Sequence, residues 1–376
     1  MKPLVTALVC AYNDENTIGI VLQGLKRLTY APLQIVVIDD ASTDKTPEII
    51  SQFDVTCIRN DVNRGLGHNL NLGFEKAQGE YLAVIQSDCE IRDSDWLDQM
   101  LEFMQADIGV VVSQRQIDDF ASLPSGARFF NAVAPQDLKN STGQPLEQRY
   151  CRGKADLYRI SLLHELGGWN RTFFTAGEDT DLSIRIHKLG YRILLHPKAS
   201  IHYLFSGRQA SIAGSLKKAF LYGKTAFPLY HLYRYDGIQA RTYLATLLSL
   251  VSLLLPQYAR LIAGLFLFFY SWFCGIQTRG TRIPFGLLAF IASILLTVLH
   301  FSIKLPSLFT IPAAAVATAG TAYIIYLAAK NSMRNLAKGE KAVRLPATLL
   351  FCMIWRMISG AGYLAGALKN YENPSN

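Results

Sequence analysis

Apolar positions follow two different rhythms along this chain. Through roughly the first ninety residues, short apolar runs alternate with amphipathic stretches. Residues 4–12 read as a strand. Ile18, Val21, Leu22 and Leu25 then share one helical stripe, with Asn13 or Asp14 as the expected cap. A second buried strand is expected at 33–38, a helix opening near Pro47, and a third strand at 55–59. Leu66, Leu70, Phe74 and Ala77 mark another amphipathic helix, and 81–85 a fourth strand. Strand and helix in alternation with short links predict a parallel sheet covered on both faces. The stretch 91–148 is less regular and reads as loop-rich. Strand-like segments return at 191–196 and 199–203, after a helix beginning near Asp179 with the stripe Leu182, Ile186, Leu189 and a stop at Gly190.

The second rhythm begins near Arg241, where acids nearly vanish and apolar runs lengthen. Four runs, 242–259, 261–278, 283–303 and 305–329, are each about long enough to cross a bilayer. Arg279, Arg282 and the cluster Lys330, Arg334, Lys338, Lys341, Arg344 lie on one side, against Arg260 and Lys304 on the other. The richer side is expected to face the cytoplasm together with the N-terminal domain. Residues 347–368 hold Arg356 near their middle, which favours an interfacial or re-entrant helix over a fifth crossing. Before the first run, Ile212, Leu216, Ala219 and Phe220 share a face among Lys217, Lys218 and Lys224, a pattern that suits a helix in the membrane interface.

Composition agrees: half of the 376 residues are hydrophobic and the net charge is +8. Basic residues beside apolar runs point to anionic lipid, and no motif for nucleic acid accompanies them. The six cysteines form no C-x-x-C pair, so structural zinc is not expected and a reducing compartment is. No secretory leader is expected, because Lys2-Pro3 leads into the short run that reads as a strand.

The strand order sets three polar clusters on one rim: Tyr12–Glu15, Asp39-Asp40 and Asp88–Glu90. Open α/β sheets bind ligands outside the carboxyl ends of their strands. In an extended segment, Asp88 and Glu90 would point the same way, and paired carboxylates suit magnesium or manganese. Such an ion can neutralise a diphosphate leaving group.

In order along the chain stand L-V-C-A-Y-N-D-E at 8–15, V-V-I-D-D-A-S-T-D at 36–44, N-R-G-L-G at 63–67 continuing to Gly73, D-C-E at 88–90, and G-G-W at 167–169 leading to G-E-D-T-D-L at 177–182. Together, over about residues 3–205, they resemble the inverting glycosyltransferases of family 2. The resemblance implies an α/β fold of the GT-A (Rossmann-like) type at 1–205; the apolar and charge pattern adds an amphipathic interfacial linker helix at 206–240, an α-helical transmembrane domain of two hairpins at 241–329, and a basic cytoplasmic segment with an interfacial or re-entrant helix at 330–376. By position, Ala11, Tyr12 and Glu15 would line the nucleotide pocket, and Asp40 would contact the base with Asp39 nearby. Asp39 could equally cap its own turn. Arg64 would touch the nucleotide or diphosphate, or simply lie at the surface, while Gly65 and Gly67 allow close backbone approach. Asp88 and Glu90 would hold a divalent cation, Mn or Mg, with His202 as a third ligand or a structural histidine; His187 and His196 are weaker candidates. Asp179 would be the general base, with a helix cap as the alternative. Glu178 and Trp169 would stand on the acceptor side.

Glu90 departs from the family's second Asp, and the Q-x-x-R-W signature of processive synthases is missing; Gln257–Leu261 matches it only superficially. Single additions are therefore expected. The implied function is transfer of a sugar from a nucleotide-diphosphate sugar to a hydroxyl of a lipid-linked or membrane-proximal glycan, at the inner or plasma membrane. Transfer to polyprenyl phosphate is the close alternative, and a non-catalytic nucleotide-sugar-binding membrane protein the distant one.

Overall fold

The structure, a computed structural model, describes residues 1–116, 123–128, 143–174, 176–205 and 211–233, with two isolated positions at 358 and 365. The chain divides into two units, and the helix that opens at Ile212 belongs to the second.

In the first unit, nine described strands form one sheet. They are β1 Val5–Ala11, β2 Leu33–Asp39, β3 Thr56–Arg59, β4 Tyr81–Gln86, β5 Cys89–Glu90, β6 Ile108–Gln116, β7 Leu146–Gln148, β8 Ala155–Arg159 and β9 Arg192–Tyr203. The described helices of this unit are α1 Ile18–Lys26, α2 Thr46–Ile50, α3 Leu66–Lys76, α4 Trp96–Glu102, α5 Ile160–Leu166 and α6 Glu178–Lys188. The four strands expected in the first ninety residues are present, and β1 pairs in parallel with both β2 and β4.

These four strands are parallel, as expected, and the strands added around them make the sheet mixed. β8 runs antiparallel between β4 and β6, and β5 and β7 run antiparallel to β9. The stretch expected to be loop-rich holds α4, β6 and β7. The two segments expected near 191–203 are one strand, β9, whose pairing with β6 shifts register.

Alternation along β1 sorts the two faces. Val5, Ala7, Val9 and Ala11 join Val21, Leu22 and Leu25 of α1 on one side. Leu8 joins Leu70 and Phe74 of α3, Leu162 of α5, and Leu182 and Ile186 of α6 on the other. Each fully buried aliphatic side chain here contributes about 1.5–3 kcal/mol relative to exposure. Leu189, expected on the α6 stripe, is 41% exposed because the helix ends at Lys188. Neither Asn13 nor Asp14 caps α1 by its side chain; Thr17 is the N-cap, and the Asp14 carbonyl accepts from Thr17 and Ile18.

The second unit contains α7, Ile212–Tyr233, which carries Pro228. Ser215 and Ala219 are buried on it and Ile212 is exposed. Among the described residues, no helix is long and apolar enough to cross a membrane. The apolar runs at 242–329 lie outside the described residues, as does all of 347–368 except its two isolated positions.

Candidate active site

The loops after β1 and β2 are laced together. Asn13 stands at φ 56° and its backbone N–H donates to Ser42 Oγ at 2.9 Å, while Asn13 Oδ1 accepts from the Thr43 N–H at 2.8 Å. The Asp14 N–H donates to Thr46 Oγ1 at 2.8 Å, and Glu15 Oε2 accepts from the Lys45 N–H at 3.1 Å. Asp14 also accepts from Ser87 Oγ at 2.6 Å, which ties the β1 loop to the end of β4. Burial raises the Asp14 carboxyl, the Ser87 bond opposes this, and the charge of Asp88 adds to it. Ala11 is buried at the strand end and Tyr12 is exposed on the rim.

The two adjacent acids after β2 face different ways. Asp39 is fully buried; its Oδ1 accepts from the Ser42 N–H at 3.2 Å and its Oδ2 meets Arg59 Nε at 3.3 Å. Its carboxylate thus closes its own turn and is not turned to the rim. Asp40 accepts from Asn60 Nδ2 and the Arg64 N–H, each at 2.8 Å, and from the Gly65 N–H at 3.0 Å. It pins the loop that opens α3, and Arg64 itself is exposed. Gly65 has φ 84°, and a Cβ there would meet the Phe174 carbonyl at 2.7 Å. The close approach it allows is that of the chain's own Phe174, and Gly67 likewise meets the Asn170 and Phe173 carbonyls.

Asp88 and Glu90 have different ion-pair partners. Residues 87–88 form a turn between β4 and β5, so the two acids do not share one straight strand. Glu90 meets Arg92 Nε at 2.9 Å and an Arg27 nitrogen at 3.5 Å. His202 is its cross-strand partner. Asp88 Oδ1 instead lies 3.6 Å from Lys154 Nζ. Among the described residues, no group of three or more His, Cys, Asp or Glu side chains is placed to hold a metal. His196 accepts from the Lys198 N–H at 2.9 Å, and burial lowers its pKa to about 4. His187 Nε2 lies 3.1 Å from the Arg149 carbonyl, so both are engaged locally.

The opposite wall is clamped from two helices. Asn71 of α3 accepts from the Trp169 N–H at 2.8 Å and donates to its carbonyl at 2.7 Å. Arg185 of α6 pairs with buried Asp181 at 2.8 Å and donates to the Leu166 and Gly168 carbonyls, each at 2.9 Å. Trp169 packs edge-on against Tyr158 at 5.5 Å. It lines one pocket with Gln86, Gly153, Glu178 and Asp179. Glu178 and Asp179 open α6 behind Gly177, which stands at φ 95°. The Asp179 carboxylate is half-buried, and its Oδ1 accepts from the Thr180 N–H at 2.7 Å. Burial raises the Asp179 carboxyl, with the Thr180 bonds pulling the other way. Glu178 is buried and raised by desolvation and then by the charge of Asp179, and its Oε2 has no hydrogen-bond partner among the described residues.

Two residues with no sequence signal, Lys154 and Asp156, complete the site. Asp156 on β8 is fully buried, and its Oδ2 accepts from the Gly153 N–H at 2.8 Å and the Arg152 N–H at 3.0 Å. That carboxylate fixes the turn presenting Lys154. Burial raises its pKa from 3.8 to about 6. Because the folded value is the higher, the stability it contributes is full below the unfolded pKa and is lost as pH rises through about 6. Asn mimics the protonated acid, keeping the acceptor and placing N–H groups where the acid carries its proton. The unfolding free energy of Asp156→Asn minus that of wild type is expected to rise between about pH 4 and 6, by up to about 3 kcal/mol. Denaturant titrations across that range check this, and a flat difference would overturn it.

The family model described as Glycosyl transferase family 2 matches residues 6–166. The poly-beta-1,6-N-acetyl-D-glucosamine synthase of Staphylococcus epidermidis is 28% identical over 202 residues, 52% of this chain and 48% of that protein. The synthase of the same name from Staphylococcus aureus strain MSSA476 matches at the same identity and coverage. The chain thus aligns with about half the length of these relatives. The mannosyltransferase PcManGT of Pyrobaculum calidifontis, solved in complex with GDP-Man and Mn2+, shares the fold at a TM-score of 0.50 and 19% identity, over 85% of this chain and 86% of that one. The sheet order and the rim at the ends of β1, β2 and β4 agree with these matches: residues 6–166 match the glycosyl transferase family 2 domain.

Proposed function

We propose that this chain is an inverting, metal-assisted glycosyltransferase that moves a sugar from a nucleoside-diphosphate sugar to a hydroxyl of a lipid-linked or membrane-proximal glycan. The observation that carries the reading is Asp179: a half-buried carboxylate of raised pKa, in a pocket shared with Gln86 at the end of β4 and with Trp169. A sugar hydroxyl must lose its proton as it attacks, and a carboxylate in reach can take it. Attack from that side displaces the diphosphate in line, through an oxocarbenium-like state. Ala11, Tyr12, Glu15, Asp40, Arg64 and Gly65 build the donor rim, and Glu178 and Trp169 shape the acceptor side.

A hard cation fits in a limited way. The chain offers the carboxylates of Asp88 and Glu90, the latter also paired with Arg27 and Arg92, and magnesium-like ions are commonly held by one or two carboxylates with the rest of the shell from phosphate and water. The occurrence of GDP-Man and Mn2+ together in the archaeal mannosyltransferase supports the same pairing here. When bound, such an ion would neutralise charge on the departing diphosphate. The apolar runs at 242–329 and their basic flanks support anchoring in the inner or plasma membrane, with the domain on the cytoplasmic side.

Salt-washed membranes from cells expressing the chain, supplied with a panel of radiolabelled UDP- and GDP-sugars and Mn2+, test this. Label from one donor is expected in a membrane-bound product. Activity confined to the soluble fraction would remove the anchor, and consumption of no donor would remove the transferase.

A further inference from the structure

Lys154 places its ammonium among oxygen atoms at the donor rim. Its Nζ donates to Gln86 Oε1 at 2.6 Å and to the Tyr203 hydroxyl at 3.2 Å. It lies 3.6 Å from Asp88 Oδ1 and 4.4 Å from the centre of the Tyr203 ring. The backbone holds it there: the Gln86 N–H donates to the Lys154 carbonyl at 2.8 Å, and Asp156 fixes the preceding turn. The side chain is still 21% exposed. The same charge partly offsets the rise that burial gives the carboxyls of Glu178 and Asp179. An amide oxygen, a carboxylate and a phenol around one point are what a hard cation would use, and here an ammonium lies among them.

We propose that Lys154 is a built-in cation of the donor site: it competes with a divalent ion for Asp88 and, once displaced or joined by that ion, binds the leaving diphosphate directly. This rests on the nucleotide-sugar reading above. A lysine suits the task because its ammonium is a compact charge on a flexible stem, able to move from Asp88 to a phosphate oxygen. The departing diphosphate then gains a second positive charge at no cost in metal ligands. No proton need be transferred, and the ammonium acts by charge and hydrogen bonding.

The test uses the purified full chain in detergent. UDP, GDP and inorganic pyrophosphate are titrated calorimetrically in EDTA and again with Mn2+, and Mn2+ alone is titrated by electron paramagnetic resonance. Wild type, Lys154→Met, Lys154→Gln and Lys154→Arg are compared, with melting curves for each. In EDTA, Met and Gln are expected to weaken diphosphate binding roughly 10- to 100-fold, the range for a hydrogen bond between charged groups, with Arg restoring most of it. In the same Met and Gln variants, Mn2+ alone is expected to bind several-fold more tightly, since Asp88 loses its competitor. These two shifts have opposite signs, which general loosening of the fold does not produce. Equal diphosphate affinity in EDTA for wild type and Lys154→Met would overturn the proposal. So would loss of the melting transition in all three variants, which would make Lys154 structural. If wild type binds none of the three probes even with Mn2+, it is the nucleotide-sugar reading that fails.

Discussion

Asp179→Asn is expected to lower turnover by roughly 10²- to 10⁴-fold while donor affinity stays near its wild-type value. The amide is nearly isosteric, and the donor rim is built from other residues. Asp179 Oδ1 already accepts from the Thr180 N–H, an interaction an Asn carbonyl keeps, so the first turn of α6 should survive. What the amide cannot do is accept the hydroxyl proton. A loss in turnover without a loss in donor binding is a defect in the transition state. Burial raises the Asp179 carboxyl, so the wild-type rate should fall as pH drops through that raised value, and the residual rate of the Asn variant should lack this acid limb. A phosphate acceptor is already anionic and needs no base, so transfer to polyprenyl phosphate predicts a mild effect instead. Turnover, donor affinity and melting temperature measured on the one variant separate these cases, and near-normal turnover would remove Asp179 as the base.

Asp88→Ala is expected to cost transfer on the order of 10²- to 10³-fold, the scale seen when one electrostatic stabiliser of a transition state is removed. The variant's remaining rate should no longer respond to Mn2+. The fold should tolerate the change: the backbone carbonyl of residue 88 still accepts from the Leu204 N–H at 2.8 Å, and the partners its side chain leaves include Lys154, which is partly open to water, and the Cys89 thiol, which donates to it at 3.3 Å. Wild type in EDTA should approach the variant. Rates across a Mn2+ titration decide the matter: full wild-type activity in EDTA would remove the divalent ion, and a normal Mn2+ response in the variant would place the ion elsewhere.

The parts of this fold that could be read in the sequence are those whose signal is local. Strands β1, β2 and β4 are mostly apolar runs because both faces of each are covered, and helices α1 and α3 show a stripe because one face is. The carboxyl-end rim follows from that order alone. Pairing across long sequence distances left no such trace. β8 looks like any short apolar segment, and nothing in it announces that it will run antiparallel to β4, with Ala155 opposite Ile85. That register is what brings Lys154 beside Gln86, 68 positions away. The partners of Glu90 were hidden for a related reason. Its spacing from Asp88 assumed an extended segment, whereas a turn intervenes and Arg27, at the end of α1, takes part of its charge. Asp39 and Asp40 are adjacent and chemically alike, so only the structure separates the turn-closing acid from the one that pins the α3 loop.

The lacing of the first two rim loops bears on how the donor site can open. Asn13, Asp14 and Glu15 on one loop and Ser42, Thr43, Lys45 and Thr46 on the other are joined by at least four hydrogen bonds, and Ser87 adds a tie to β4. A fluctuation that frees either loop must break most of these together, so the two behave as one opening unit despite lying about thirty residues apart. Their crosslinked amides would then exchange with solvent at a common rate.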